Sequence, residues 1–396
     1  MPSRAVVYGL ILFAGVPLTF WPVLLLQSAL TVWVVALTLR AHYLGKRPLL
    51  VLGVVTSLSL LTTLPWLTAV LLTDIFCGVG ALALYLLLLR GNTLGPRERL
   101  GLITLVAVAA ATHSATLAIL LTLLAAVFFV WLVDRQRVRL ANIGRGMLAL
   151  VLGVVLVFAA DFAVAGRLAW TPGGFALSFG RMLQDGIVQR YLAEHCPDAT
   201  LRLCAHADQL PHDADVWFWG SPLFDKLGRF AGLGSEMEKI AIDCVLDYPG
   251  MQIKTAIADT AEQLIEVHTG EGIVHWVWHT YFIMQHYTPQ LVPAMWAARQ
   301  QKGEISFAAI NDFQYPLALI AMALLPVIVI LAARKVLPVA TGELAAAIML
   351  VILANAFVCG TLSNPHDRYG ARVVWLASFV VTLALLDFAG GRRRKI

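Results

Sequence analysis

Six consecutive polar residues, Asn364-Pro365-His366-Asp367-Arg368-Tyr369, separate two apolar blocks near the end of this 396-residue chain. Arginine suits a phosphate or carboxylate, because its planar fork donates two hydrogen bonds at once. Asp367 or His366 is placed to act as a base, or to orient the other, with Tyr369 as a further binding group. The competing reading is a solvated hairpin loop, where polar residues are expected anyway. Three more residues extend the set: Asp74, His113 and Asp161 each interrupt apolar sequence. Polar residues inside membrane segments are expensive and often functional. Each also has a plain reading. Asp74 fits a turn, Asp161 a hydrated interface, and His113 the cap region of a following helix. The candidate site is therefore Asp74 and Asp367 as catalytic acids, with Arg368, His366, Tyr369, His113 and Asp161 as binding residues.

A second cluster is His275, His279 and His286, which fall within ~40° of one another on a helix over 273–287. An i,i+4 histidine pair is a spacing used by zinc sites. No HExxH pattern accompanies it, and Trp276, Trp278, Tyr281 and Tyr287 share the segment. An interfacial aromatic belt explains those residues, so no metal is expected. No P-loop, dinucleotide fingerprint or nucleophile elbow occurs, and no cofactor is implied.

The elements that must position these groups are helices in lipid. The chain is 59% hydrophobic and 13% charged, with a mean hydropathy of +0.78. A soluble domain is nearer half apolar and a quarter charged. Apolar blocks at 50–72, 146–166, 314–333, 343–362 and 373–390 approach or exceed the ~20 residues that span a bilayer. Backbone groups in lipid must pair internally, so the blocks are helices. An all-α polytopic bundle of about eight to ten membrane segments follows. Thr73-Asp74 makes a turn between spans 50–72 and 74–90. Thr112-His113-Ser114 divides a short helix 100–111 from a full one at 115–133.

Basic clusters at Arg40/Lys46/Arg47, Arg90/Arg97/Arg99, Arg135 to Arg145, Arg334/Lys335 and Arg392 to Lys395 separate the blocks. Short Lys/Arg-rich loops stay cytoplasmic. That rule makes the C-terminus cytoplasmic and places 167–312 outside the cell membrane, with 1–166 and 313–396 as membrane domains. The segment 167–312 carries ten Lys/Arg against seventeen Asp/Glu, so the basic pI of 9.0 belongs to the cytoplasmic loops. A nucleic-acid partner is not expected. Within the loop domain, helices are predicted over 175–194, 235–247 and 251–268, with 205–222 as loop. Cys196 and Cys204 stand eight apart, either bonded in an oxidising compartment or as two free thiols. Cys77, Cys244 and Cys359 read as buried.

The layout resembles the GT-C class of membrane glycosyltransferases. Phe20-Trp21-Pro22 leads into a span ending at a basic loop. Leu64-Pro65-Trp66 through Leu72-Thr73-Asp74 is similar to that class's short hairpin bearing an Asp. The paired helices around Thr112-His113-Ser114 follow in the same order. The likeness covers roughly residues 5–166. It implies a polyprenyl-phosphate-linked sugar as donor, a glycan or lipid as acceptor, and membrane lipid as surroundings. Arg368 and His366 would hold the phosphate, and Asp74 or Asp367 would serve as base. The class carries an acidic residue in its first extracytoplasmic loop, and here nothing acidic precedes Asp74. A transporter or flippase, or a non-catalytic assembly subunit for envelope polysaccharide, are the other classes the sequence admits.

Overall fold

The computed structural model describes residues 6–42, 48–166, 168, 174–271, 273 and 278–393. Within them the chain forms helices and no strand. The first half holds α1 (Val6–Gly15), α2 (Trp21–Ala41), α3 (Pro48–Leu61), α4 (Leu64–Ala69), α5 (Asp74–Leu89), α6 (Pro96–Thr112), α7 (Ser114–Val133) and α8 (Leu140–Ala165). The middle holds α9 (Gly174–Gln184), α10 (Ile187–His195), α11 (Pro222–Lys226), α12 (Arg229–Asp247), α13 (Pro249–Ile265), α14 (Trp278–Tyr287) and α15 (Val292–Ala297). The chain closes with α16 (Ala308–Ala333), α17 (Val339–Leu362) and α18 (Asp367–Arg393).

Helices α2, α7, α8, α16, α17 and α18 are long and apolar enough to cross a bilayer, and α1, α3 and α5 are shorter apolar helices. This is a polytopic membrane bundle. Its centre is α5, where every residue from Asp74 to Leu88 is buried. A helix apolar on all sides must be enclosed by others. The helices α2, α6, α7, α8 and α18 supply that enclosure. By contrast α8 and α16 leave most of their apolar surface facing out, as lipid-facing helices do.

Several predicted spans break where their residues require it. The block 50–72 is not one helix: it stops at Leu61 and restarts as α4. Pro65 lies in the first turn of α4, where its missing N–H costs nothing, but it could not continue α3. The break exposes carbonyls, and two buried glutamines cover them. Gln314 on α16 donates to the Thr62 carbonyl at 3.0 Å. Gln27 on α2 donates to the Thr68 and Val70 carbonyls at 3.0 and 3.2 Å, and accepts from the Tyr8 hydroxyl at 2.9 Å. Irregular backbone at membrane depth survives only under such cover. The expected short helix 100–111 extends back to Pro96. There the Glu98 carboxylate accepts from the Gly95 N–H at 2.8 Å.

The loop segment has its own apolar core, built from α9, α10 and α12 around Phe179, Tyr191, Trp217, Phe224 and Met237. Its first helix was expected over 175–194. It divides instead at Gly186, whose φ of +76° admits the left-handed turn between α9 and α10. The stretch 205–222 is not wholly loop, because short helical turns occupy Arg202–Gln209 and Val216–Gly220. Helix α12 starts six residues earlier than expected, at Arg229 rather than 235. Cys196 and Cys204 are bonded, and Cys77, Cys244 and Cys359 are buried and free.

This segment docks on the bundle chiefly through α13, which packs along α17. Two glycines allow the approach. A Cβ at Gly360 would stand 2.6 Å from the Asp259 carbonyl oxygen, and one at Gly370 would stand 2.0 Å from that of Glu266. Neither distance is compatible with a side chain, so α17 and α18 are notched where α13 ends.

Candidate functional site

From the last turn of α13 onward, residues 263–271 form a strap across the ends of the membrane helices. Side-chain amides stitch it down. Gln263 donates to the His366 carbonyl at 2.9 Å and accepts from the His366 N–H at 3.0 Å. Asn311 on α16 likewise accepts from the Thr269 N–H at 2.8 Å and donates to the Thr269 carbonyl at 3.0 Å. An amide side chain offers one donor side and one acceptor side, so each pair mimics a backbone pairing. The result brings residues ~100 positions apart into one cluster around His366-Asp367-Arg368-Tyr369.

Asp74 is the buried anchor of that cluster. It opens α5, where the positive end of the helix dipole favours a carboxylate. Two guanidinium groups approach it: Arg368 Nε at 3.5 Å and Arg372 Nη1 at 3.8 Å. Arg372 is fully buried, one turn into α18. Its Nε donates to Asn355 Oδ1 at 2.8 Å, and its Nη2 lies 3.0 Å from Cys359 Sγ. Arg368 retains 27% side-chain exposure. Both guanidiniums lie over the Tyr369 ring, at 5.2 and 5.5 Å from its centroid. One carboxylate thus serves two permanent cations.

Two acid–histidine pairs flank this centre. Asp367 Oδ1 accepts from the His268 backbone N–H at 2.6 Å and lies 2.7 Å from His268 Nδ1. That contact assigns the Nδ1–H as the donor to Asp367. His268 also stacks on Tyr315, with centroids 3.9 Å apart. On the other side His366 Nδ1 lies 2.7 Å from Glu271 Oε1, and His366 Nε2 lies 3.4 Å from Asp215 Oδ2. The second oxygen of Glu271 accepts from the Arg368 backbone N–H at 2.6 Å.

Burial lowers the basicity of His366, but the bond and charge of Glu271, with Asp215 behind, outweigh it and hold the ring above its ordinary value. Burial also pushes Glu271 up, yet the His366 bond and the Arg368 N–H bring it below the usual range. Each partner therefore favours the charged form of the other. Glu266 is raised, first by burial and then by the neighbouring Asp367 charge. Glu266, His268 and Asp367 place one potential ligand atom each within 4.8 Å of one another. The 2.7 Å contact between two of them is that of a hydrogen bond rather than of two ligands spaced around an ion.

Asp74, His268, Glu271 and Arg368 line one small cavity of about 30 Å³, walled by Trp66 and Leu67 of α4. Of the residues expected from sequence, Asp74 and Arg368 line it, while His366, Asp367 and Tyr369 contact its lining residues Glu271, His268 and Arg368. His113 does not line that cavity. It terminates α6 and caps α7, its Nδ1 accepting from the Ala115 N–H at 3.2 Å. Asp161 lies in the last turns of α8, partly exposed and without a polar partner among the described residues. Of the histidine trio, His275 lies outside the described residues, as does the side chain of His279; His286 on α14 contacts the Tyr287 ring.

Sequence reasoning missed Arg372, Asn355, His268 and Glu271. Arg372 had a signal, a charge one turn beyond Arg368 at the edge of an apolar block. The others depend on the strap, which no local pattern announces. Comparison with protein-family models, with curated proteins and with solved structures finds no match to this chain.

Proposed function

We propose that the chain is an integral membrane glycosyltransferase. It takes a sugar from a polyprenyl-phosphate donor and delivers it to an envelope glycan or lipid acceptor at the extracytoplasmic face of the cell's inner membrane. The observation that supports this reading is the loose pairing at Asp74. Two arginines share one carboxylate at 3.5 and 3.8 Å, longer than a tight bidentate pair. A phosphate is the ligand that would complete them. The partly exposed Arg368 is placed to meet it, with Arg372 behind as a fixed positive field.

Asp74, held by both cations, suits the role of charge organiser. His268 suits that of base, with Asp367 fixing its tautomer. In the transfer, the acceptor oxygen bonds to the sugar anomeric carbon as the bond from that carbon to the phosphate oxygen breaks. The electron pair leaves with the phosphate beside Arg368, and the acceptor proton passes to His268 Nε2. His366, engaged by Glu271, positions the Arg368 backbone rather than the donor.

The orientation rests on the Lys/Arg asymmetry of the short loops and is supported by the Cys196–Cys204 bond in the loop segment. A second reading, a non-catalytic assembly subunit, is favoured by the size of the cavity. About 30 Å³ is the volume of one water rather than of a sugar phosphate. The transporter reading is weaker, because the charged clusters at the two ends of the bundle are separated by the apolar interior of α5. Arg368→Ala and His268→Gln, each at normal protein level, should abolish the dependent envelope glycan. Unchanged glycan in both would exclude the transferase. A reporter near residue 240 found in the cytosol would reverse the orientation.

A further inference from the structure

A second and much larger cavity lies away from the polar cluster, between the loop segment and the bundle. It measures about 850 Å³ and runs between α9, α12, α13 and the end of α17. That is near the top of the ~300–1,000 Å³ range of ligand pockets. Its walls are apolar and open: Leu246 is 71% exposed, Ile257 67%, Ile253 63%, and Phe357 and Leu362 52% each. Among its lining residues only Arg181 is charged. That guanidinium is fully engaged, with Asp185 at 2.7 Å, Asp259 and Gln252 at 2.9 Å, and the Thr255 hydroxyl. Nothing charged is left over to hold a headgroup.

A continuous apolar face of this kind is not stable against water. Its depth shows what meets it instead. At ~1.5 Å per residue, α17 is roughly 36 Å long. Centred on a ~30 Å hydrocarbon layer, its end projects ~3 Å. Phe357, ~7.5 Å back from that end, then lies ~5 Å inside the hydrocarbon. The groove also continues an exposed apolar face of α17, where Leu353 lies one turn before Phe357.

We propose that this groove seats an acyl chain of an ordinary bilayer phospholipid, and that α12 and α13 are sunk to the depth of the acyl region rather than standing in water. The inference does not depend on the transferase reading, since the groove and the Asp74 cavity share no lining residue. Full-length protein in vesicles of phosphatidylethanolamine and phosphatidylglycerol tests it. Nitroxide labels at Ile257→Cys and Leu246→Cys should collide with oxygen more readily than with nickel-EDDA, and a label at the exposed Lys226→Cys should do the reverse. The free native thiols Cys77, Cys244 and Cys359 are buried and will not compete. In native mass spectrometry, wild type released from detergent should retain phospholipid. Ala256→Trp, which fills the groove, should lower that occupancy at least about tenfold. Leu148→Trp, on the exposed side of α8, should not. Nickel access at 257 equal to that at 226 would overturn the proposal. So would wild-type phospholipid retention by Ala256→Trp, or retention of an isoprenoid phosphate in place of phospholipid. If Ala256→Trp does not fold, the label pair still decides.

Discussion

The bundle carries a charged cluster at each end, and the two are built differently. At the basic end, ion pairs are closely matched. Arg40 meets Glu98 through two bonds of 2.6 and 2.7 Å, and Arg90 meets Glu343 at 2.7 Å with Arg137 behind at 3.6 Å. At the other end, Asp74 faces two arginines at 3.5 and 3.8 Å, and one of those is fully buried. Both ends set two arginines on one carboxylate, but at Glu343 one contact is short and the outer arginine reaches solvent. At Asp74 both contacts are long and one arginine is fully buried, which leaves donors for an anion. That difference, rather than the number of charges, separates a fastening from a candidate site.

The comparison breaks most readily at Arg372. Arg372→Ala leaves Asp74 without its buried partner and should cost about 3–5 kcal/mol, read as loss of folded protein in detergent. Next comes the notch at Gly370. Gly370→Val forces a side chain onto the Glu266 carbonyl and should cost about 1–3 kcal/mol, with the strap released to proteolysis near residue 268. Arg368→Ala should leave the melting temperature within about 2 °C of wild type. It should nevertheless remove the dependent glycan, and Arg368→Lys should restore only part of it. If Arg90→Ala had the same effect on glycan, the distinction between the two ends would fail.

Acidity offers a smaller effect. Burial raises Asp185 to about 6, partly offset by Arg181 and reinforced by Asp259. The folded state therefore takes up a proton that the unfolded state still lacks, and stability rises as pH falls through 6. His366 is also raised, so its contribution is present below its ordinary value and lost as pH climbs through the folded one. Both act in one direction between pH 7.5 and 5.5. The melting temperature should rise by about 2–4 °C over that window, and Asp185→Asn should flatten the rise. Smallest of all, Glu98→Ala at the exposed Arg40 pair should cost under about 1 kcal/mol, and less in high salt.

Much of this was legible from the order of residues. Apolar blocks announced the long helices, and Thr112-His113-Ser114 marked a true break. The polar run 366–369 lies at the centre of the cluster. What was not legible had two causes. Pro65 and Gly186 divide helices that apolar periodicity alone would continue, because periodicity does not register a lost donor or a positive φ. His268 and Glu271 were out of reach because their partners are ~100 residues away. The notches at Gly360 and Gly370, with the Gln263 and Asn311 amides, bring them together. His113 and Asp161 were singled out for being polar in apolar sequence, yet one caps a helix and the other stands apart.

The strap of residues 263–271 has a mechanical consequence. It is tied to α18 through Gln263 and to α16 through Asn311, and its Thr269 hydroxyl donates to Gln314, which in turn covers the Thr62 carbonyl before α4. A pull on any of these three helices is felt at His268 and Glu271 without an intervening hinge. The polar pocket is thus a keystone set between helices far apart in the chain, and its geometry depends on all of them.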